Sequence, residues 1–172
     1  KEMKILICGL PGSGKTTLAK PLAKTLNAVW LNADKIRQKY EGRDPSKWDF
    51  SEAGRLRQAD RMRYLADGAV MSGKLVVADF VCPTDATREH FKPDFTVWMD
   101  TIPFGRFDDT NKIFQKPQLK NVDYHVSSWF DNTHEVLGEA LNRYSRMNNM
   151  TAIQFAVDIM EEDEKILEKL ND

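Results

Sequence analysis

Short, nearly continuous apolar runs alternate along the chain with longer stretches in which apolar residues recur every three or four positions. Met3-Lys4-Ile5-Leu6-Ile7-Cys8, Ala28-Val29-Trp30-Leu31, Leu75-Val76-Val77-Ala78-Asp79-Phe80-Val81 and Phe95-Thr96-Val97-Trp98-Met99-Asp100 have the length and the branched or aromatic content of strands, with Tyr124-His125-Val126 as a last short one. Leu18, Leu22, Ala23 and Leu26 predict a helix ending near Asn27, with Pro21 inside it as a kink or a tight packing point. Asp34-Lys35-Ile36-Arg37 reads as the first turn of a second helix. Ser51 is placed to cap a third, running to about Ser72 on a stripe of Leu56, Ala59, Met62, Ala66, Ala69 and Val70. Strands that alternate with helices predict an α/β fold, a parallel sheet with helices on both faces.

The remaining segments carry weaker signals. Residues 41–49, with Gly42, Pro45 and mixed charge, predict a surface loop, and Cys82-Pro83-Thr84-Asp85 turns into a short helix carrying Arg88. Between about 101 and 121 the pattern becomes polar and irregular, with Arg106, Asp108, Asp109, Asn111, Lys112, Lys116 and Lys120 among Phe104, Phe107, Ile113 and Phe114. Such a segment reads as a lid or as an ordinary charged loop. Helices are predicted over about 131–146 and 151–170, parted by Met147-Asn148-Asn149. The last is amphipathic and acidic, suited to packing on the domain or on a second subunit, which leaves a homodimer open.

The 172 residues are enough for one core and too few for two ordinary domains, so residues 1–172 are expected to form a single domain with a C-terminal helical segment over about 147–172. Lys and Arg number 25 against 26 Asp and Glu, which gives no basis for expecting duplex nucleic acid or a membrane as partner. Two cysteines far apart in sequence match no metal spacing, nor do His90, His125 and His134. A reduced, cytoplasmic protein without leader or membrane span is the expectation.

The chemistry concentrates in Gly9-Leu10-Pro11-Gly12-Ser13-Gly14-Lys15-Thr16, which follows the first strand and opens the first helix. This is a P-loop. Glycines let successive N–H groups turn inward around phosphates in front of a helix N-terminus, Lys15 reaches the β- and γ-phosphates, and the Thr16 hydroxyl suits Mg²⁺. Gly9, Pro11, Gly12, Ser13, Gly14, Lys15, Thr16 and Thr17 are therefore candidate contacts for ATP. Thr17 stands where a dinucleotide fingerprint would need its third glycine, which excludes that reading.

Two acids stand near the predicted carboxyl ends of strands, where ligands of open α/β sheets bind. Asp34 can face the phosphates. Asp79, after four apolar residues, has the Walker B arrangement and is a candidate for holding Mg²⁺ with Thr16; a carboxylate tied to neighbours for structural reasons is the alternative. Arg55, Arg57, Arg61 and Arg63 ride on the third helix, an arrangement more typical of a solvated face than of a site. Cys82 reads either as a reactive thiol at the strand edge that nucleotide would protect, or as a buried inert one.

With these motifs in place the chain resembles the adenylylsulfate kinases, P-loop enzymes that transfer the γ-phosphate of ATP to the 3′-hydroxyl of adenosine 5′-phosphosulfate (APS). The resemblance spans roughly residues 3–143. The family's Asp-Gly-Asp-x-x-Arg is Asn32-Ala33-Asp34-Lys35-Ile36-Arg37 here, and its Phe-Ser-x-x-Asp-Arg-x-x-Asn is Phe50-Ser51-Glu52-Ala53-Gly54-Arg55-Leu56-Arg57-Gln58. Its Ile-Ser-Pro-Tyr with a following arginine becomes Val81-Cys82-Pro83-Thr84 with Arg88, and its lid motif resembles Asp108 to Phe114. The resemblance implies Lys15, Asp34 and Arg37 as catalytic residues, with Asp34 near the attacking hydroxyl. It also implies Asp34, Arg37, Phe50, Arg55, Cys82, Arg88 and Lys112 as acceptor contacts.

The departures, at Asn32, Gly54, Gln58 and Cys82, cluster on the acceptor side. ATP and Mg²⁺ are thus better supported than APS. A kinase of the same architecture acting on another hydroxyl, such as a nucleoside, a modified nucleotide, a polynucleotide end or a small metabolite, is the alternative. So is an ATP-binding relative without turnover. Asn111-Lys112 lacks the aspartate of a guanine-binding motif.

Overall fold

The structure is a computed structural model that describes residues 3–128 and 132–147, with the backbone alone for 143–147. The helix expected over 151–170 lies outside the described residues. Five strands, β1 (Lys4–Gly9), β2 (Val29–Asn32), β3 (Val76–Asp79), β4 (Phe95–Met99) and β5 (Tyr124–Val126), form one sheet in the order β2-β3-β1-β4-β5. Every pairing is parallel. Parallel pairing requires crossovers, and they carry α1 (Lys15–Leu26), α2 (Ala33–Glu41), α3 (Glu52–Met71), α4 (Asp85–Phe91) and α5 (Asp108–Ile113), while α6 (Thr133–Met147) follows β5.

All six residues of β1 are buried, because both faces of the sheet are covered. Successive side chains of a strand point to opposite faces, which explains the two cores. Ile5 and Ile7 pack with Leu18 and Leu22 of α1 and Leu137 and Leu141 of α6. Leu6 and Cys8 pack on the other face with Met62 and Ala66 of α3 and Phe91 of α4. Lys4, buried in this strand, keeps its charge paired: its ammonium lies 2.8 Å from Asp67 Oδ1 and donates to the Phe91 carbonyl at 3.1 Å.

Helix α1 runs through Pro21 and stops at Asn27, whose left-handed φ of 52° returns its N–H to the last carbonyls. Ser51 caps α3 by accepting from the Gly54 N–H, and Thr84 with Thr87 forms a reciprocal cap on α4. The segment expected to be irregular, 101–121, holds the short helix α5. Asp108 and Asp109 in its first turn and Lys112 in its last complement the helix dipole, a signal too short to register as periodicity. No helix among the described residues is long and apolar enough to cross a membrane.

Candidate nucleotide and acceptor site

The loops after β1, β2, β3 and β4 gather at the carboxyl edge of the sheet, with the β1 loop at the centre. Gly12 and Gly14 adopt φ of 85° and 95°, a conformation side chains disfavour, and they turn the loop between β1 and α1. Gly9 is needed for space: a Cβ there would lie 2.5 Å from the Met99 carbonyl oxygen. Gly14 is the N-cap of α1 and supplies no side-chain cap, so the first N–H groups of the helix stay available to an anion. The Ser13 Oγ is buried and has no partner among the described residues. An orphaned hydroxyl just ahead of a helix N-terminus suits a phosphate oxygen.

Lys15 is itself buried, and its Nζ donates to the Leu10 carbonyl at 2.9 Å. Burial pulls its pKa down to about 8, against the opposing pull of Asp79, Cys8 and Asp34. Asp34, exposed in the first turn of α2, therefore shares the field of the P-loop lysine.

Asp79 ends β3 and is almost wholly buried. Its Oδ1 accepts from the Thr16 hydroxyl at 3.3 Å and its Oδ2 from the Trp30 indole N–H at 2.5 Å. Asn32, its register partner on β2, donates to Oδ1 and Oδ2 at 3.2 and 3.4 Å. Burial raises the carboxyl's pKa, and these donors, with Lys15, hold it back. The donor set fits Mg²⁺: Thr16 Oγ1 and an Asp79 oxygen are adjacent hard ligands. No group of three or more His, Cys, Asp or Glu among the described residues could hold a metal unaided, so phosphate and water oxygens would complete the shell.

On the helix that carries Asp34 and the loop that follows it stands an arginine cluster around Phe50, which is 42% exposed. The guanidinium carbons of Arg37 and Arg55 lie 4.6 and 5.3 Å from its ring centroid. Both arginines are buried. Arg37 Nη1 donates to Glu41 Oε2 and the Asp49 carbonyl, each at 3.0 Å. Arg55 donates from Nε to the Phe50 carbonyl at 2.9 Å and from Nη2 to Thr110 Oγ1 at 3.2 Å, with Asp109 at 3.5 Å, which ties α5 of the expected lid to α3. The solvated face expected of α3 thus holds for Arg57, whereas Arg55 is drawn inward by its partners.

Glu41 is the member of this cluster that sequence reasoning missed, because it was assigned to a surface loop. Its carboxylate accepts from Arg37 Nη1, from Arg61 Nη1 at 2.6 Å and from the Asp49 N–H at 2.8 Å, which hold its pKa low against burial. The spacing of Arg37 and Glu41, four apart on one helix, was the available signal. Gly54 also gains a reason. A Cβ there would sit 2.5 Å from Asp49 Cγ, so the Asp49 carboxylate occupies the space where a side chain at 54 would begin.

Arg88 and Cys82 stand deeper. Arg88 donates to Asp85 Oδ1 at 3.2 Å and to the Gln115 carbonyl at 2.6 Å, which joins α4 to the 101–121 segment, while its buried Nε has no partner among the described residues. Cys82 is 1% exposed and burial pushes its pKa up, which is the environment of the inert thiol rather than the reactive one. Lys112 is exposed on α5. On the β4 side the 101–121 segment packs against the P-loop: a Cβ on Gly105 would lie 3.0 Å from the Pro11 carbonyl, and a cavity of about 140 Å³ is lined by Leu10, Trp98, Ile102 and Phe114.

The model of the family described as AAA domain matches residues 5–92, just over half of the chain. A shikimate kinase of Corynebacterium glutamicum is 30% identical over 121 residues, 69% of this chain and 70% of that one. The chain spans 56% and 57% of the length of shikimate kinases from two other Corynebacterium species. A probable adenylyl-sulfate kinase of Aeropyrum pernix is 28% identical over 123 residues, 71% of this chain and 63% of that one. In structure, the APS kinase of Mycobacterium tuberculosis solved with AMPPNP and APS superposes with a TM-score of 0.64 at 19% identity, covering 94% of this chain and 98% of that chain. That last likeness establishes a shared fold.

Proposed function

The chain belongs to the AAA-domain family of P-loop kinases, and from that premise we propose that it transfers the γ-phosphate of ATP to the 3′-hydroxyl of APS. In this reading the P-loop N–H groups, Ser13 and Lys15 hold the triphosphate, and Thr16 with Asp79 serves Mg²⁺. Asp34 accepts the proton of the attacking hydroxyl. Phosphoryl transfer asks little covalent chemistry of a protein, so positioning and charge neutralisation at these groups carry the rate.

The observation that favours APS is Phe50. An aromatic ring that keeps much of its surface exposed while two arginines lie within reach of it, on the loop that follows the helix carrying Asp34, suits an acceptor that has a purine to stack and anionic groups to bind. Arg55 would contribute by exchanging its bond to exposed Asp109 for the acceptor, which couples acceptor entry to movement of α5. The similarity to shikimate kinases supports a second reading, in which a carboxylated polyol without an aromatic ring is the acceptor.

Steady-state kinetics with each acceptor, on the wild type and on Phe50→Ala, separate the two. The APS reading expects Phe50→Ala to raise the KM for APS about tenfold or more, the scale of one lost base-stacking contact. Turnover of shikimate that is indifferent to Phe50 contradicts it.

A further inference from the structure

Three donors converge on the Asp79 carboxylate, and two of them come from β2. Trp30 Nε1–H takes Oδ2 at 2.5 Å, the Asn32 amide spans both oxygens, and the Thr16 hydroxyl takes Oδ1 at 3.3 Å. Trp30 is in turn held in place, because Lys35 Nζ from the first turn of α2 sits 4.9 Å over its ring. Asn32 is fixed as well: its Oδ1 caps α2 by accepting from the Lys35 N–H at 3.1 Å, which leaves its Nδ2 for Asp79.

The division of labour between the two oxygens is specific. Trp30 occupies Oδ2 from the side of β2, so Oδ1, which Thr16 shares, is the oxygen turned toward the P-loop. Both β2 donors are neutral. An aspartate at position 32, as in the kinases the chain resembles, would place a second carboxylate against the first, and like charges so close oppose each other's ionisation. The amide replaces that repulsion with a hydrogen bond.

We propose that Trp30 and Asn32 are positioning residues for the cation that accompanies the nucleotide, fixing the Asp79 carboxylate so that its Oδ1, with Thr16 Oγ1, faces a hard divalent ion. The inference rests on the reading that Thr16 and Asp79 serve Mg²⁺. Magnesium demands near-octahedral geometry, so a carboxylate whose rotation is locked by outer donors binds it better than one free to turn.

Binding without turnover tests this. N-methylanthraniloyl-ATP fluorescence is titrated over a series of MgCl₂ concentrations for the wild type, Asp79→Ala, Trp30→Phe and Asn32→Ser, with melting temperatures measured alongside. Asn32→Ser retains a cap for α2 and removes the amide donor. The wild type should bind the analogue more tightly with Mg²⁺, and Asp79→Ala should lose that gain. Trp30→Phe and Asn32→Ser should each need about tenfold more Mg²⁺ for half the gain, with Mg²⁺-free affinity unchanged. Trp30→His, which restores a ring N–H, should recover part of the loss.

If the wild type gains nothing from Mg²⁺, or Asp79→Ala gains as much as the wild type, the metal reading falls and the positioning inference with it. If only Asp79→Ala loses the gain, while Trp30→Phe and Asn32→Ser keep the wild-type Mg²⁺ midpoint, the metal reading stands and the inference is overturned. A lowered melting temperature with an unchanged midpoint likewise overturns it. Asn32 is at the half-buried rim of the sheet, so Asn32→Ser decides the matter should Trp30→Phe fail to fold.

Discussion

Lys15 Nζ donates to the carbonyl of Leu10, five residues earlier, so the P-loop closes on its own lysine while the lysine is buried. The ammonium's pKa of about 8 is the consequence of that burial. Phosphates bound beside it would raise the value again, so binding at pH above 8 takes up a proton. Affinity for ATP should fall as pH rises past 8, by up to about tenfold per unit until the pKa of the bound state is reached. Calorimetric titration in buffers of different ionisation enthalpy checks the proton uptake. A pH-independent affinity between 7.5 and about 9.5, the span below an ordinary lysine pKa, would contradict it.

The same shift bears on stability. A lysine whose pKa is lower folded than unfolded binds fewer protons in the native state between pH 8 and about 10.5, so its contribution is unfavourable below 8 and the penalty is relieved as pH rises through that window. Lys15→Met should therefore be more stable than the wild type at pH 7, by about 1–3 kcal/mol, and lose that advantage near pH 10. Its phosphotransfer should fall by about three orders of magnitude or more. Urea unfolding at the two pH values checks the sign.

Glycine at 54 reflects the crowding by Asp49. Gly54→Ala should cost about 2–4 kcal/mol, because the methyl meets backbone and carboxylate atoms of Asp49 that also hold Arg37 and Arg57. Gly68→Ala, in the same helix with no atom within 4 Å of the added carbon, should instead stabilise by about 0.5–1 kcal/mol. Thermal denaturation of the pair gives opposite signs if the Asp49 contact is the cause.

Neither cysteine should react quickly. Cys8 is fully buried with its pKa pushed up to about 11, and Cys82 is buried and raised further, so both are thiols rather than thiolates at neutral pH. A chromogenic disulfide reagent should label the native protein at least about a hundredfold more slowly than the urea-unfolded chain, with no protection attributable to nucleotide. Fast labelling that nucleotide blocks would restore Cys82 to the site.

The strands and the P-loop were legible because their signals are local: an apolar run before glycines, and glycines before Lys15 and Thr16. Asp79 was legible for the same reason, as an acid at the end of four apolar residues. Its partners were not, since the pairing of Asn32 with Asp79 and the reach of Trp30 depend on β2 lying beside β3, which no spacing along the chain specifies. Glu41 falls in a stretch that reads as a surface loop, and the contacts that bury Arg55 were not legible either, because periodicity sorts apolar from polar positions, whereas a charged side chain is held by particular partners brought from elsewhere. Helix α5 escaped notice because two turns of polar residues have no apolar stripe.

The acceptor is the central claim, and one measurement addresses it directly. The protein is incubated with MgATP and an equimolar mixture of APS and shikimate, Lys15→Ala serves as control, and mass spectrometry follows both phosphorylated products. The account predicts 3′-phosphoadenosine 5′-phosphosulfate as the main product, from the wild type alone. Phosphorylated shikimate in its place, or ATP binding with neither product, would contradict it.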